Sequence, residues 1–210
     1  MVLYSRKKID STEQMLRRVE ADDHFFEESN KRYYSCFSTD DNDKNMLMTR
    51  GYASAALFFL KIINHSESNY LNACYISPCL FCFRHYVELI LKDTLWYYNK
   101  CGYNIDIIAL NDEHNLVSLW DKLLPLIGRK EEKTRHIGRL IHELSDVDKS
   151  GTTFRYSYYF SKEGRIPSEP LKIRIDNKQL YIRMLQLYRF LEGLNDEILY
   201  AHEEIITYNY

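Results

Sequence analysis

The stretch Ser77-Pro-Cys-Leu-Phe-Cys-Phe-Arg-His-Tyr-Val-Glu-Leu-Ile-Leu-Lys92 decides the fold class. Serine before proline is a helix start in chemical terms. The hydroxyl can cap a free backbone N–H, and proline's fixed φ and missing N–H cost nothing at the first helical position. Behind this pair the apolar side chains cover most of a helical circumference, so the spacing predicts a long helix to about Lys100, buried on more than one side. Arg84, Glu88 and Lys92 fall at i, i+4 and i+8 and share one polar stripe, with His85 beside it.

Further helices are predicted on either side. Leu47 to His65 is apolar nearly all round, which implies burial on several sides. The polar run Ser38 to Asn45 before it reads as a loop, and Ser11, with Gln14 three residues on, reads as the cap of a helix towards Asp22. On the C-terminal side, Asn115 to Leu126 and Glu131 to Val147 read as two helices, the first capped by His114 or Asn115. The pattern then changes. Thr152 to Phe160 is rich in β-formers and Leu171 to Ile175 alternates apolar with basic, which predicts a small hairpin with its turn in Ser161 to Pro170. Last, Leu180, Met184, Leu187, Leu191, Leu194, Ile198, Ala201 and Ile205 alternate steps of four and three, the seam of a long helix from Asn177 to Thr207. Gly193 costs that helix roughly 1 kcal/mol relative to alanine without stopping it.

The fold class expected is therefore mainly all-α, a bundle of about five to six helices with a β-hairpin insert, as one domain over 1–210. Its segments are an N-terminal helix and loop (1–45), the bundle core (47–149), the hairpin (152–175) and the terminal helix (177–207). Composition agrees: 18 tyrosines and 10 phenylalanines stand against 7 glycines and 4 prolines, which means aromatic packing with few tight turns.

With 28 basic and 30 acidic side chains the net charge is −2, so the chain has no general polycationic coat for nucleic acid, although a local basic surface remains open. The apolar run Ala53 to Ile63 falls short of the roughly 20 residues of a spanning helix, and Met1 to Glu20 lacks the apolar region of a secretory signal. The expectation is no membrane segment, a cytoplasmic location, and free thiols at Cys36, Cys74, Cys79, Cys82 and Cys101.

Most catalytic signatures are missing. No glycine-rich phosphate loop occurs, which excludes P-loop and Rossmann nucleotide binding. Cys79, Cys82 and His85 stand at three-residue steps, but one C-x-x-C without a second pair lacks the closure of a zinc site, so no metal and no cofactor are expected. No thiol is marked as an activated nucleophile. The stripe Arg84, Glu88, Lys92 reads as ion pairs on a wet face, as an internal brace, or as a polar pocket held for binding or catalysis.

The string Ser77 to Lys92, then His114-Asn-Leu-Val-Ser-Leu-Trp120, then Phe154-Arg-Tyr156 resemble uncharacterised bacterial proteins related to the HEPN (higher eukaryotes and prokaryotes nucleotide-binding) group. With the helices between, the likeness spans Leu47 to Ile205. The resemblance implies a compact helical bundle, frequent homodimers, and a place in toxin–antitoxin or antiviral defence systems. Some members of the group are metal-independent ribonucleases, and others are non-catalytic modules that bind a partner protein or a nucleotide.

Active members carry an arginine and a histidine separated by four to six residues. Arg17 or Arg18 with His24, Arg129 with His136, and Arg135 with His142 all meet that spacing. Position on a helix late in the bundle favours Arg135 and His142. In the family's chemistry His142 would act as general base or acid towards a ribose 2′-hydroxyl, and Arg135 would stabilise the pentavalent phosphate. Without such a role both are solvated helix-face residues. The residues that carry the resemblance are a different set: Arg84, His85, Glu88, Lys92, His114, Arg155 and Tyr156. They are expected to meet as one cluster, either a site or a brace in which Arg155 pairs with Glu88.

Overall fold

The computed structural model divides the chain, read from sequence as one domain, into two compact units, Met1–Ser38 and Thr39–Tyr210. It describes residues 41–128, 131–149, 151–167 and 174–208, all in the second unit. The helix expected from Ser11 to Asp22 lies outside these residues. In order, the described elements are α1 (Asp41–His65), α2 (Asn69–Lys100), α3 (Leu116–Ile127), α4 (Glu132–Val147), β1 (Tyr158–Ser161), β2 (Gly164–Pro167) and α5 (Asn177–Tyr208). The protein is an all-α bundle carrying one small hairpin.

Helix α2 is the centre, packed on α1, α3 and α5, while α4 closes the bundle against α3 and α5. Its fully buried residues include Tyr86, Val87, Leu91 and Leu95, each contributing roughly 1.5–3 kcal/mol of apolar burial. It starts a full two turns before the proline at which the sequence places its beginning. The Ser68 hydroxyl accepts from the Leu71 N–H at 3.3 Å, and Pro78 sits inside the helix. Tertiary packing carries the helix through the missing hydrogen bond: Tyr75 stacks on Phe59 of α1 at 5.6 Å and Ile76 packs against the core.

Helix α1 also begins early, because the polar residues Asp41 to Asn45, read as loop, are its first turns. Acidic side chains at a helix N-terminus are favoured by the macrodipole, so a run of Asp and Asn serves a start as readily as a loop. Burial on several sides is not what α1 shows. Thr49, Ala53, Ala56, Leu60 and Ile63 form a single buried face, while Leu47 is 57% and Phe58 62% exposed. The helix is longer than the apolar run alone suggested, and Lys44–His65, at 22 residues, is long and apolar enough to cross a membrane by length and composition. Within the bundle its alanine face lies against α2, where the Cys79 Sγ–H donates to the Ala56 carbonyl at 3.2 Å.

Helices α3 and α4 fall where the sequence puts them, to within a residue or two. Asn115, rather than His114, is the cap of α3 and accepts from the N–H groups of Val117 and Ser118. Gly128, at φ +66°, ends the helix in the left-handed conformation that favours glycine.

The hairpin is real but shifted. Tyr158, Tyr159, Phe160 and Ser161 pair with Pro167, Ile166, Arg165 and Gly164, so the strand that pairs with β1 is Gly164–Pro167, inside the stretch expected to be the turn. Gly164 at φ +123° permits a tight turn, and a two-residue connection closes at less entropic cost than a ten-residue one. Leu171 to Ile173 lie outside the described residues, and Thr152 to Tyr156 form turns rather than strand.

The seam of α5 is core. Met184, Leu187, Leu191, Leu194 and Ile198 are buried, whereas Ile205 is 40% exposed beyond the end of the bundle. A seam spent in this way is not free to pair with a second copy.

Candidate functional site

Four of the seven residues that carry the resemblance meet. Arg84, 3% exposed, donates from Nη1 to Glu88 Oε2 at 2.7 Å, from Nη2 to the His114 carbonyl at 2.5 Å, and from Nε to the Asp148 carbonyl at 3.2 Å. Asp148 Oδ2 lies 3.4 Å from the same Nε. The other Glu88 oxygen accepts from Lys92 Nζ at 3.1 Å and faces His114 Nδ1 at 2.8 Å. Burial would raise the Glu88 pKa, but the hydrogen bonds from Arg84, His114 and Lys92 outweigh it and hold the carboxyl below its ordinary range. Asp148 Oδ2 makes only its ion-pair contact with Arg84 and no hydrogen bond, while the other groups of the cluster are met by hydrogen bonds from the chain itself, which is the arrangement of a brace. It ties the middle of α2 to the entry of α3 and to the exit of α4.

Gly151 shows how tightly the brace is enclosed. At φ +72°, a side chain there would place its Cβ 3.0 Å from Arg84 Nη1. Asp148, fully buried, also accepts from the Thr153 N–H at 2.9 Å through Oδ1. Sequence reasoning missed Asp148 and Gly151. The turn-like Asp148-Lys-Ser-Gly151 after a helix end was a signal, but nothing local says that the aspartate faces inward onto an arginine 64 residues away.

The other three residues stand apart from the brace. His85 is wedged between Tyr52, edge-on at 4.5 Å, and Phe81, stacked at 6.0 Å. Burial lowers its pKa, Glu88 works against that and Arg84 with it, so the ring is neutral at neutral pH. The Arg155 guanidinium lies over the Phe81 and Tyr156 rings at 5.8 and 5.5 Å, and its Nε donates to the Gly151 carbonyl at 2.7 Å. The expected pair of Arg155 with Glu88 is not made, because Arg84, one turn away on the same helix, occupies that carboxylate. Cys79 and Cys82 are free thiols, and burial, helped by Cys82, pushes the Cys79 pKa up to about 12.

Arg135 and His142 are both exposed on α4 and line one groove of about 1100 Å³ between α3 and α4. Seven residues apart, they share a face with ~10 Å of rise between them. Arg139 lines the same groove, with Nη2 3.4 Å from the His136 ring, and Asp121 and Glu132 add negative charge at its edges. The groove floor is set by a close approach. A Cβ at Gly138 would lie 2.9 Å from Trp120 Nε1, so only glycine lets the two helices meet as they do. Among the described residues, no group of three His, Cys, Asp or Glu side chains is placed to hold a metal ion.

Compared with family models, curated proteins and solved structures, the chain matches none.

Proposed function

We propose that this protein is a HEPN-like, metal-independent endoribonuclease of a bacterial toxin–antitoxin or antiviral defence system, acting in the cytoplasm as a homodimer. The observation that carries the reading is that Arg135 and His142 line one open groove and share one face of α4. In this chemistry His142 takes the proton of a ribose 2′-hydroxyl as the 2′-oxygen attacks the adjacent phosphorus. Arg135 stabilises the charge that develops on the pentavalent phosphate, and the 5′-oxygen leaves with a proton drawn from solvent, giving a 2′,3′-cyclic phosphate. The ~10 Å of helix between the two residues suits long side chains reaching one phosphate from either side. The pairing surface of the dimer lies elsewhere than the α5 seam.

The test compares RNA cleavage in EDTA by the wild type and by His142→Ala, with a thermal melt on each. His142 is exposed, so the variant should melt with the wild type while cleavage falls ~10²–10⁴-fold. Equal cleavage by the two would remove His142 from the mechanism.

A second reading has an observation of its own. Leu47 and Phe58 lie three turns apart on one face of α1, and Tyr70 and Leu71 near the start of α2 are also exposed. Apolar surface of this kind suits a non-catalytic module that holds a partner protein. Absence of cleavage by the wild type would move the assignment there.

A further inference from the structure

A cavity of about 470 Å³ opens between α2, α4 and α5. Helix α4 presents Leu140, Leu144 and Val147 to it, a different face from the one that carries Arg135 and His142. The space exists because α2 packs on α1, α3 and α5, and α4 on α3 and α5, with little direct packing between α2 and α4. Arg84, bonded to Asp148 at the end of α4, fixes their separation at one edge, so the cavity is part of the fold. Its size falls in the range of roughly 300–1,000 Å³ usual for small-molecule sites, which are apolar with a few placed polar groups.

The inner end is core. Leu80 and Phe83 of α2 and Met184 and Leu187 of α5 are buried there, and half-buried Leu144 and Val147 line the way out. Polar side chains gather elsewhere, at the mouth, where Arg174 and Arg183 stand with Glu143, Asp176 and Gln179.

The charges at the mouth do not cancel. Asp176 is spent as the cap of α5, its Oδ1 accepting from the N–H groups of Lys178 and Gln179 at 3.0 and 3.1 Å. Arg183 donates to Gln186 Oε1 at 2.9 Å, a neutral acceptor that leaves its charge in place. Arg174 is exposed and makes no hydrogen bond or ion pair among the described residues. Two guanidinium groups therefore stand at the opening of an apolar chamber with Glu143 as the one uncommitted carboxylate among the described lining residues.

We propose that this cavity binds a medium-chain carboxylic acid as its anion, the acyl chain running inward between Phe83, Leu144 and Leu187 and the carboxylate held at the mouth by Arg174 and Arg183. A guanidinium fork matches the planar carboxylate, and a hydrocarbon tail takes up apolar walls that water meets at a cost. A cationic amphiphile would meet two like charges, and a polyhydroxylated ligand would leave its hydroxyls without partners on these walls. The site stands whether or not the α3–α4 groove cleaves RNA.

The experiment is calorimetric titration of the full chain at pH 7 with octanoate, and separately with hexanoate, octan-1-ol and octylammonium. Saturable binding of octanoate is expected. Hexanoate should bind roughly 15-fold more weakly, since each buried methylene is worth about fourfold, and the alcohol roughly tenfold more weakly for want of a charge-assisted hydrogen bond. Octylammonium should not bind. Arg174 is exposed, so Arg174→Gln should melt with the wild type and lose about tenfold in octanoate affinity. Leu144→Phe, which fills the chamber, should abolish binding with an unchanged or higher melting temperature, and Arg174→Gln decides the role of charge whatever Leu144→Phe does to stability. Failure of octanoate to bind, equal affinity for hexanoate, binding of the alcohol or the ammonium as tight as that of octanoate, or wild-type affinity in Arg174→Gln would each overturn the proposal.

Discussion

Arg84 is a guanidinium 3% exposed, surrounded by one glutamate, one aspartate and two main-chain carbonyls. Breaking such a group leaves a charge stranded, which is more costly than the intact pair is stabilising. Glu88→Gln should therefore lower stability at pH 7 by about 3 kcal/mol, read from urea unfolding. The pH dependence follows from the depressed Glu88 pKa. The unfolded group titrates near 4.5, so the native contribution is complete above that value and is lost as pH falls through the lower folded value. Wild type and Glu88→Gln should accordingly converge below that value. A gap that stays constant would mean that the loss comes from shape and not from charge. Asp93 and Glu192 work in the opposite direction. Their raised values favour the folded state as they take up protons, so Asp93→Asn should lose relative stability to the wild type on acidification.

At the scale of elements, sequence and structure agree on what is helical and disagree on where helices begin. Ser77-Pro78 has the chemistry of a start, yet α2 begins at Asn69 under the Ser68 cap. Asp41 to Asn45 has the chemistry of a loop and is a start. Around Pro78 local preference is worth a kcal/mol or so per residue, and packing of Tyr75, Phe59 and Ile76 across helices outweighs it, whereas at Asp41 the acidic residues suit a helix start as well as a loop. A proline inside α2 removes the hydrogen bond to the Cys74 carbonyl, so Pro78→Ala should raise the urea midpoint at an unchanged slope, a gain of about 1 kcal/mol. A lower midpoint would show that the half-buried ring is needed by its neighbours. The hairpin makes the same point. The first strand falls mostly within the β-rich stretch read from sequence, but the second lies inside the stretch read as turn; the tight turn at Gly164 chose the pairing, and turn geometry fixes register more strongly than strand composition.

At the scale of the whole molecule, a net charge of −2 and three basic side chains in the α3–α4 groove, Arg135, Arg139 and His142, set what nucleic-acid binding would look like. Each phosphate contact to a single strand adds about −0.7 to the slope of log affinity against log salt. A labelled RNA oligonucleotide followed by anisotropy should therefore show a shallow slope of roughly −1 to −2. A steep slope would mean that RNA lies on some other, more basic surface. The sequence by itself determined the class of fold, the identity of α1 to α5 and the existence of the α5 seam, because those follow from apolar periodicity, a local property repeated over many residues. It also brought out Arg84, Glu88 and Lys92 as a stripe, since i, i+4 spacing is local too. Only the tertiary structure decided that this stripe is closed by Asp148 and His114 into a brace, that His85 and Arg155 stand outside it, that Arg135 and His142 share a groove, and that Arg174 and Arg183 stand at the mouth of an apolar cavity. These depend on which faces of separate helices meet, and burial energy summed over the whole core chooses those meetings without leaving a mark on any one segment.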